Sequence, residues 1–164
     1  ELHPVAILLT HGHFDHVMAV DSVRAAYHIP VYAAEAEKET MHDASINLSI
    51  NMGGAMLSIE ADHWLKDGET ITLLDQEVRC ILTPGHTVGG MCFYFPKAGM
   101  LFSGDTLFQE SVGRTDFPGG SMSEIVRSIR EKLFVLPDAV QVYPGHGLMT
   151  SIKNEKMFNP FAVE

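Results

Sequence analysis

Val5-Ala6-Ile7-Leu8-Leu9-Thr10-His11-Gly12-His13-Phe14-Asp15-His16 passes within twelve residues from an apolar run to a loop crowded with ionisable side chains. An apolar run without alternation predicts a strand covered on both faces and lying mid-sheet. Beyond His16, the residues Val17, Val20, Val23 and Ala26 recur at helical spacing until Ile29-Pro30 ends the pattern. A strand over 31–33 and a charged helical stretch over 35–41 extend the order to β-α-β-α, which predicts helices packed on a sheet.

Residues 44–64 show no period and predict a loop that is mobile or covers a substrate. Apolar runs at 70–74, 78–82, 91–95 and 100–102, parted by Asp75-Gln76 and Lys97-Ala98-Gly99, predict an antiparallel meander. A helix is expected over 123–134, with Ile125, Ile129 and Leu133 on one face and Ser121 or Ser123 as N-cap. The last strand falls at 139–143, and the amphipathic tail 151–164 carries no assignment.

With 164 residues, 46% of them hydrophobic and 20% charged, the chain can bury one core, so a single domain over 1–164 is expected. A formal charge of -10 opposes contact with phosphate backbones and anionic lipid, and no nucleic-acid or membrane partner is expected. Cys80 and Cys92 both lie in apolar strands, where buried thiols are expected rather than a disulfide framework. No apolar run approaches the roughly 18 residues needed to span a bilayer, so a cytoplasmic protein acting on a small-molecule substrate is expected. The sequence opens on Glu1 rather than Met, directly before a strand, which suggests that residues precede it in the natural chain.

His11-Gly12-His13-Phe14-Asp15-His16 supplies four metal-binding side chain positions in six residues. In an extended loop His11 and His13 aim to one side, whereas Asp15 and His16, at the start of the helix, can turn toward a second point. That spacing suits two metals. Imidazole with carboxylate is zinc-like or iron-like chemistry, while Mg or Ca would take an oxygen-dominated shell. A surface loop that happens to be rich in histidine is the plainer alternative, but it must also account for three further turns. Thr83-Pro84-Gly85-His86 and Tyr143-Pro144-Gly145-His146-Gly147 each follow a strand, and Ser103-Gly104-Asp105 ends another. Thr10, Ser103 and Thr106 are candidate donors that hold the imidazoles and carboxylates in place.

Taken with Thr10, these four stretches resemble the pattern of the metallo-β-lactamase superfamily. Gly104-Asp105-Thr106-Leu107-Phe108 leading to Gly113-Arg114 is similar to the glyoxalase II-like (hydroxyacylglutathione hydrolase-like) hydrolases. The resemblance implies an α/β (α+β) fold, a four-layer αβ/βα sandwich whose N-terminal strands are missing from this sequence. By the same resemblance His11, His13 and His86 bind a first metal, Asp15, His16 and His146 a second, and Asp105 bridges them. The implied cofactor is a pair of Zn2+ ions, with Fe or Mn as substitutes. The implied activity is hydrolysis of a small thioester by a hydroxide that the metals share, with Asp15 also orienting the hydroxide or the departing proton. Asp15 and Asp105 are therefore the expected catalytic carboxylates.

Arg114 is expected either to bind a substrate carboxylate or to pair with Asp116. Met52, Met56 and Leu57 are expected to wall the site or to pack in the loop. Only about eighteen residues follow His146, too few for the helical segment with which glyoxalase II-like proteins grip glutathione, and neither cysteine matches the ligand position of the main dizinc β-lactamases. An open sheet edge would favour a homodimer. The competing readings are a mononuclear iron persulfide dioxygenase of the same fold, a nuclease, and a non-catalytic metal-binding module.

Overall fold

The computed structural model describes residues 2–52 and 54–162. Strands β1 (Ile7–Leu8), β2 (Val31–Ala34) and β3 (His63–Leu65) form a parallel sheet in the order β1-β2-β3. Period-two alternation sends its side chains two ways. Ile7, Val31 and Ala33 meet α2 (Val20–Tyr27) and α3 (Lys38–His42) through Val20 and Met41, whereas Leu8, Tyr32 and Ala34 face a second sheet.

That second sheet contains β4 (Thr70–Leu73), β5 (Gln76–Leu82), β6 (Met91–Phe95) and β7 (Met100–Gly104). After the small hairpin of β8 (Leu107–Phe108) and β9 (Ser111–Val112), strands β10 (Gln141–Pro144) and β11 (Thr150–Ser151) complete it in the order β11-β10-β7-β6-β5-β4. Met91 and Phe93 point to the first sheet. Cys92, Leu101 and Val142 point the other way, onto Ile125 of α5 (Met122–Ser128), Ile129 and Leu133 of the π-helical segment that continues it, and Ile152 of α6 (Ile152–Phe158). Ile125, Ile129 and Leu133 are fully buried, and each contributes roughly 1.5–3 kcal/mol of transfer free energy. The layers are helix, sheet, sheet, helix, the sandwich implied by the resemblance.

The meander and the helix follow their expected positions, and the Ser121 hydroxyl caps the helix by accepting from the Glu124 amide. The first strand is corrected. It is only two residues long, Val5 is 44% exposed, and β1 sits at the edge of its sheet. Its two-sided apolarity reflects cover above and below the sheet and carries no information about neighbours in the plane. Residues 44–62 are also more ordered in packing than a bare loop, with a turn of helix, α4 (Ser49–Met52), beside the fully buried Asn47. The Asn47 carboxamide donates to the Leu57 carbonyl and accepts from the Ser49 amide, and the Asn47 carbonyl accepts from the Phe14 amide.

Sheet direction positions the site. β5 and β7 are each antiparallel to β6, and β10 is parallel to β7, so β5, β7 and β10 end along one edge of the sheet. β6 begins at that same edge, where the Met91 amide donates to the Thr10 carbonyl and brings in the loop after β1.

Candidate metal centre

Five imidazoles and two carboxylates from the four turns converge on this edge. His11, His13 and His86 are buried, and their donor atoms lie within 4.8 Å of one another. The closest pair, His13 Nδ1 and His86 Nε2, is 2.9 Å apart. A more exposed group, Asp15, His16 and His146, meets the same limit of 4.8 Å. His16 Nε2 is 3.2 Å from His146 Nε2, which is 3.2 Å from Asp15 Oδ2. Asp105 stands between the groups. Its Oδ1 is 3.4 Å from His16 Nε2, and its Oδ2 is 3.6 Å from both His86 Nε2 and His146 Nε2.

Local backbone makes this approach feasible. A Cβ on Gly145 would lie 2.3 Å from Asp105 Oδ1 and 2.8 Å from the His16 ring, so the Pro-Gly-His turn after β10 needs a glycine to bring His146 in. The turn after β5 is held by α5, whose Ser128 hydroxyl donates to the Pro84 carbonyl.

Burial and crowding set the charge state. Desolvation, with help from His16, His86 and His13, holds His11 far below the ordinary histidine value. Desolvation and then His86 lower His13 to about 4. His16 is lowered as well, against the pull of Asp105 and Asp15, whereas burial raises Asp105 against the pull of three histidines. Neutral imidazole is the form that binds a metal ion.

The donor set fits a divalent metal on one further count. His11 Nε2, His13 Nε2 and Asp105 Oδ1 are buried without a hydrogen-bond partner, and such groups cost about 1–3 kcal/mol each when nothing completes them. Three in one cluster of nitrogen and oxygen donors is the arrangement a cation satisfies.

Around the cluster opens a cavity of about 730 Å3, with Phe14, Leu48, Phe108, Val112, Phe117 and Pro118 as its apolar wall. Met56 is 77% exposed, Leu57 is half-buried, and both border a neighbouring depression; the side chain of Met52 lies outside the described residues. Of the three expected hydroxyl donors, Thr10 alone reaches an imidazole, its Oγ1 lying 3.2 Å from His11 Nδ1. Ser103 donates to the Leu107 carbonyl and Thr106 bonds Thr83, so these two tie strand ends instead. Arg114 borders the cavity, but its guanidinium forms a two-pronged pair with Asp116 at 3.0 and 2.8 Å and stacks over Phe117. The residue also acts through its backbone, since the Arg114 carbonyl lies 2.7 Å from His86 Nδ1, a contact no side-chain motif announces. His3, His28, His42 and His63 lie away from the cluster, with His42 paired to Glu60 and His63 stacked on Tyr32. Cys80 and Cys92 are buried free thiols, both pushed up to about 11 by desolvation. No helix among the described residues is long and apolar enough to cross a membrane.

A four-layer sandwich with a histidine-rich cluster along one sheet edge defines a class, and the chain belongs to the metallo-beta-lactamase superfamily, whose family model matches residues 1–146. Members of this superfamily bind divalent metals. Among its relatives, the probable metallo-hydrolase YqgX of Bacillus subtilis is 41% identical over 98% of this chain and 76% of its own length. A hydroxyacylglutathione hydrolase, GloC of Haemophilus influenzae, is 33% identical over 98% of this chain and 77% of its own length. The crystal structure of the BLEG-1 B3 metallo-beta-lactamase is 41% identical with a TM-score of 0.93, covering 99% of this chain and 79% of that one. The crystal structure of TTHA1623 in a di-iron-bound form is 36% identical with a TM-score of 0.84, covering 98% and 78%.

Proposed function

We propose that the chain is a binuclear metal-dependent hydrolase of small thioesters. His11, His13 and His86 would hold one ion, Asp15, His16 and His146 would hold a second, and Asp105, placed between the two groups, would serve both. The observation that carries this reading is the set of orphaned buried donors at the meeting point of two groups whose atoms each lie within 4.8 Å. Zinc is the first choice for a site of neutral imidazoles and carboxylates, and the di-iron form of TTHA1623 makes iron the alternative to test.

A metal pair bound there supplies a water ionised at neutral pH and a Lewis acid for the substrate carbonyl. The protein does the rest by placement. Asp105, largely covered and facing both groups, would fix their separation. Asp15, on the open side with its Oδ2 3.2 Å from His146 Nε2, would take the proton of the attacking water and return it to the departing thiolate. The apolar wall seats an acyl group and excludes bulk water, and 730 Å3 accommodates a ligand of drug-like size. Among the described residues the one cation bordering the cavity, Arg114, is already paired with Asp116, so the reading favours a neutral acyl portion.

Relatives bearing on this reading include GloC, named for hydroxyacylglutathione hydrolysis. A second reading, opening of a β-lactam ring, draws on the likeness to the BLEG-1 structure. Metal content by mass spectrometry, combined with initial rates on a panel holding S-lactoylglutathione, short-chain acyl thioesters and a penicillin, decides between them. Two metals per chain with thioester turnover is expected. One iron per chain with oxygen consumption, or turnover of the penicillin alone, overturns the thioester reading.

A further inference from the structure

Glu37 falls in the charged stretch 35–41 that the sequence reads as helical. It lies instead in the 3-10 turn Glu35–Glu37 that follows β2, and it is 1% exposed. Among the described residues no Lys, Arg or His pairs with it. A buried carboxylate without a cation is costly unless donors surround it, and here the donors are two backbone amides from different loops. The Gly12 amide, between His11 and His13, donates to Oε1 at 2.9 Å. The Gly89 amide, three residues past His86, donates to Oε2 at 2.7 Å. The contact admits no bulk, because a Cβ on Gly89 would sit 2.2 Å from the Glu37 nitrogen and 2.5 Å from Ala36.

The two oxygens thus divide between the two loops that carry the buried histidine group. These loops are 73 residues apart in sequence, and their histidines meet at 2.9 Å. We propose that Glu37 is a positioning residue: its carboxylate clamps the loop of His11 and His13 to the loop of His86, setting the spacing of the metal-binding imidazoles. This rests on the metal reading above. An amide cannot replace the group, since glutamine offers one acceptor where two are needed and turns an NH2 toward an amide N–H. Burial raises the Glu37 carboxyl, opposed by the Gly12 amide, the Thr87 hydroxyl and the Gly89 amide.

Glu37→Gln tests the clamp, with Glu155→Gln as the comparison. Glu155 is also fully buried and accepts from the Glu110 amide and the Thr150 hydroxyl, but neither of its oxygens reaches the loops of His11, His13 or His86. In metal competition against a chromophoric chelator, Glu37→Gln is expected to weaken zinc affinity about 10- to 100-fold, with kcat reduced and KM nearly unchanged. Glu155→Gln should leave zinc affinity as it is. Wild-type affinity and kcat in a folded Glu37→Gln protein overturn the proposal, even if its melting temperature drops. Should that variant fail to fold, hydrogen exchange on the unsubstituted protein takes its place. The Gly12 and Gly89 amides are expected to exchange together and only with global opening, and fast, independent exchange of either sinks the clamp. A wild-type protein that binds no metal removes the hydrolase reading but leaves the exchange result standing on its own.

Discussion

The two halves of the centre are built to different standards. His11, His13 and His86 are 2 to 4% exposed, their imidazoles are kept neutral or tied to backbone, and their loops are cross-linked through Glu37. Across Asp105, the side chains of Asp15 and His146 are 38 and 57% exposed and line the open cavity. Preorganisation is concentrated on the inner group, where ligand geometry is fixed before any ion arrives. The outer group faces the space a substrate must enter, so it trades rigidity for access. The inner ion is therefore expected to bind more tightly and to leave last.

The strongest way to break this contrast is to remove one ligand from each side. His86→Ala takes away the partner of His13 Nδ1 and leaves the Arg114 carbonyl without its imidazole, a loss of about 1–3 kcal/mol in stability. Metal binding at the inner group and all measurable hydrolysis should vanish with it. His146→Ala should retain one ion per chain and lose activity by more than roughly 100-fold, beyond the loss expected for a group that only orients a ligand. Metal counts and rates for the two variants check this. Equal losses of metal would mean that the halves are not ranked.

The same contrast explains what can be read from residue order. His11, His13, Asp15 and His16 are legible because metal binding needs particular side chain types at close spacing, and the Pro-Gly-His turns repeat that signal after β5 and β10. Contacts made by backbone are silent. The Arg114 carbonyl on His86, and the Gly12 and Gly89 amides on Glu37, leave no trace in side chain chemistry. The edge position of β1 escapes for the same reason, because strand neighbours are recruited through N–H and C=O groups that every residue shares. Hairpin β8–β9 is too short, at two residues per strand, for any period to show.

Acid should sharpen the difference in the metal-free protein. A folded imidazole that titrates near 4, as His13 does, binds fewer protons than its unfolded counterpart at 6.5. Its contribution to stability is complete above about 6.5 and is lost as pH falls toward 4, and His11 acts in the same direction. Asp105 opposes this, since a raised carboxyl holds its proton in the fold and loses stability as pH rises through its folded value. With His16 lowered as well, three histidines stand against the raised carboxyls of Asp105 and Glu37 and leave a net acid sensitivity, expected as a drop of roughly 5–10 °C in melting temperature between pH 7 and 4.5. His13→Gln should flatten that slope. A metal-free protein that melts alike at both values would show the inner group to be less desolvated than its burial implies.

The smallest effect is expected at the outer rim, at Arg114. Its side chain and that of Asp116 are 66 and 65% exposed, so the pair lies in high dielectric and its guanidinium has little charge to spare for a substrate. For a neutral acyl thioester, Arg114→Ala should change kcat/KM by less than about fivefold and leave metal content alone, because the His86 contact runs through the backbone carbonyl that the substitution preserves. For S-lactoylglutathione, which carries carboxylates, the same variant gives the sharper reading. If KM for that substrate alone rises strongly, Arg114 leaves Asp116 to meet an anion, and the outer rim then contributes specificity as well as access.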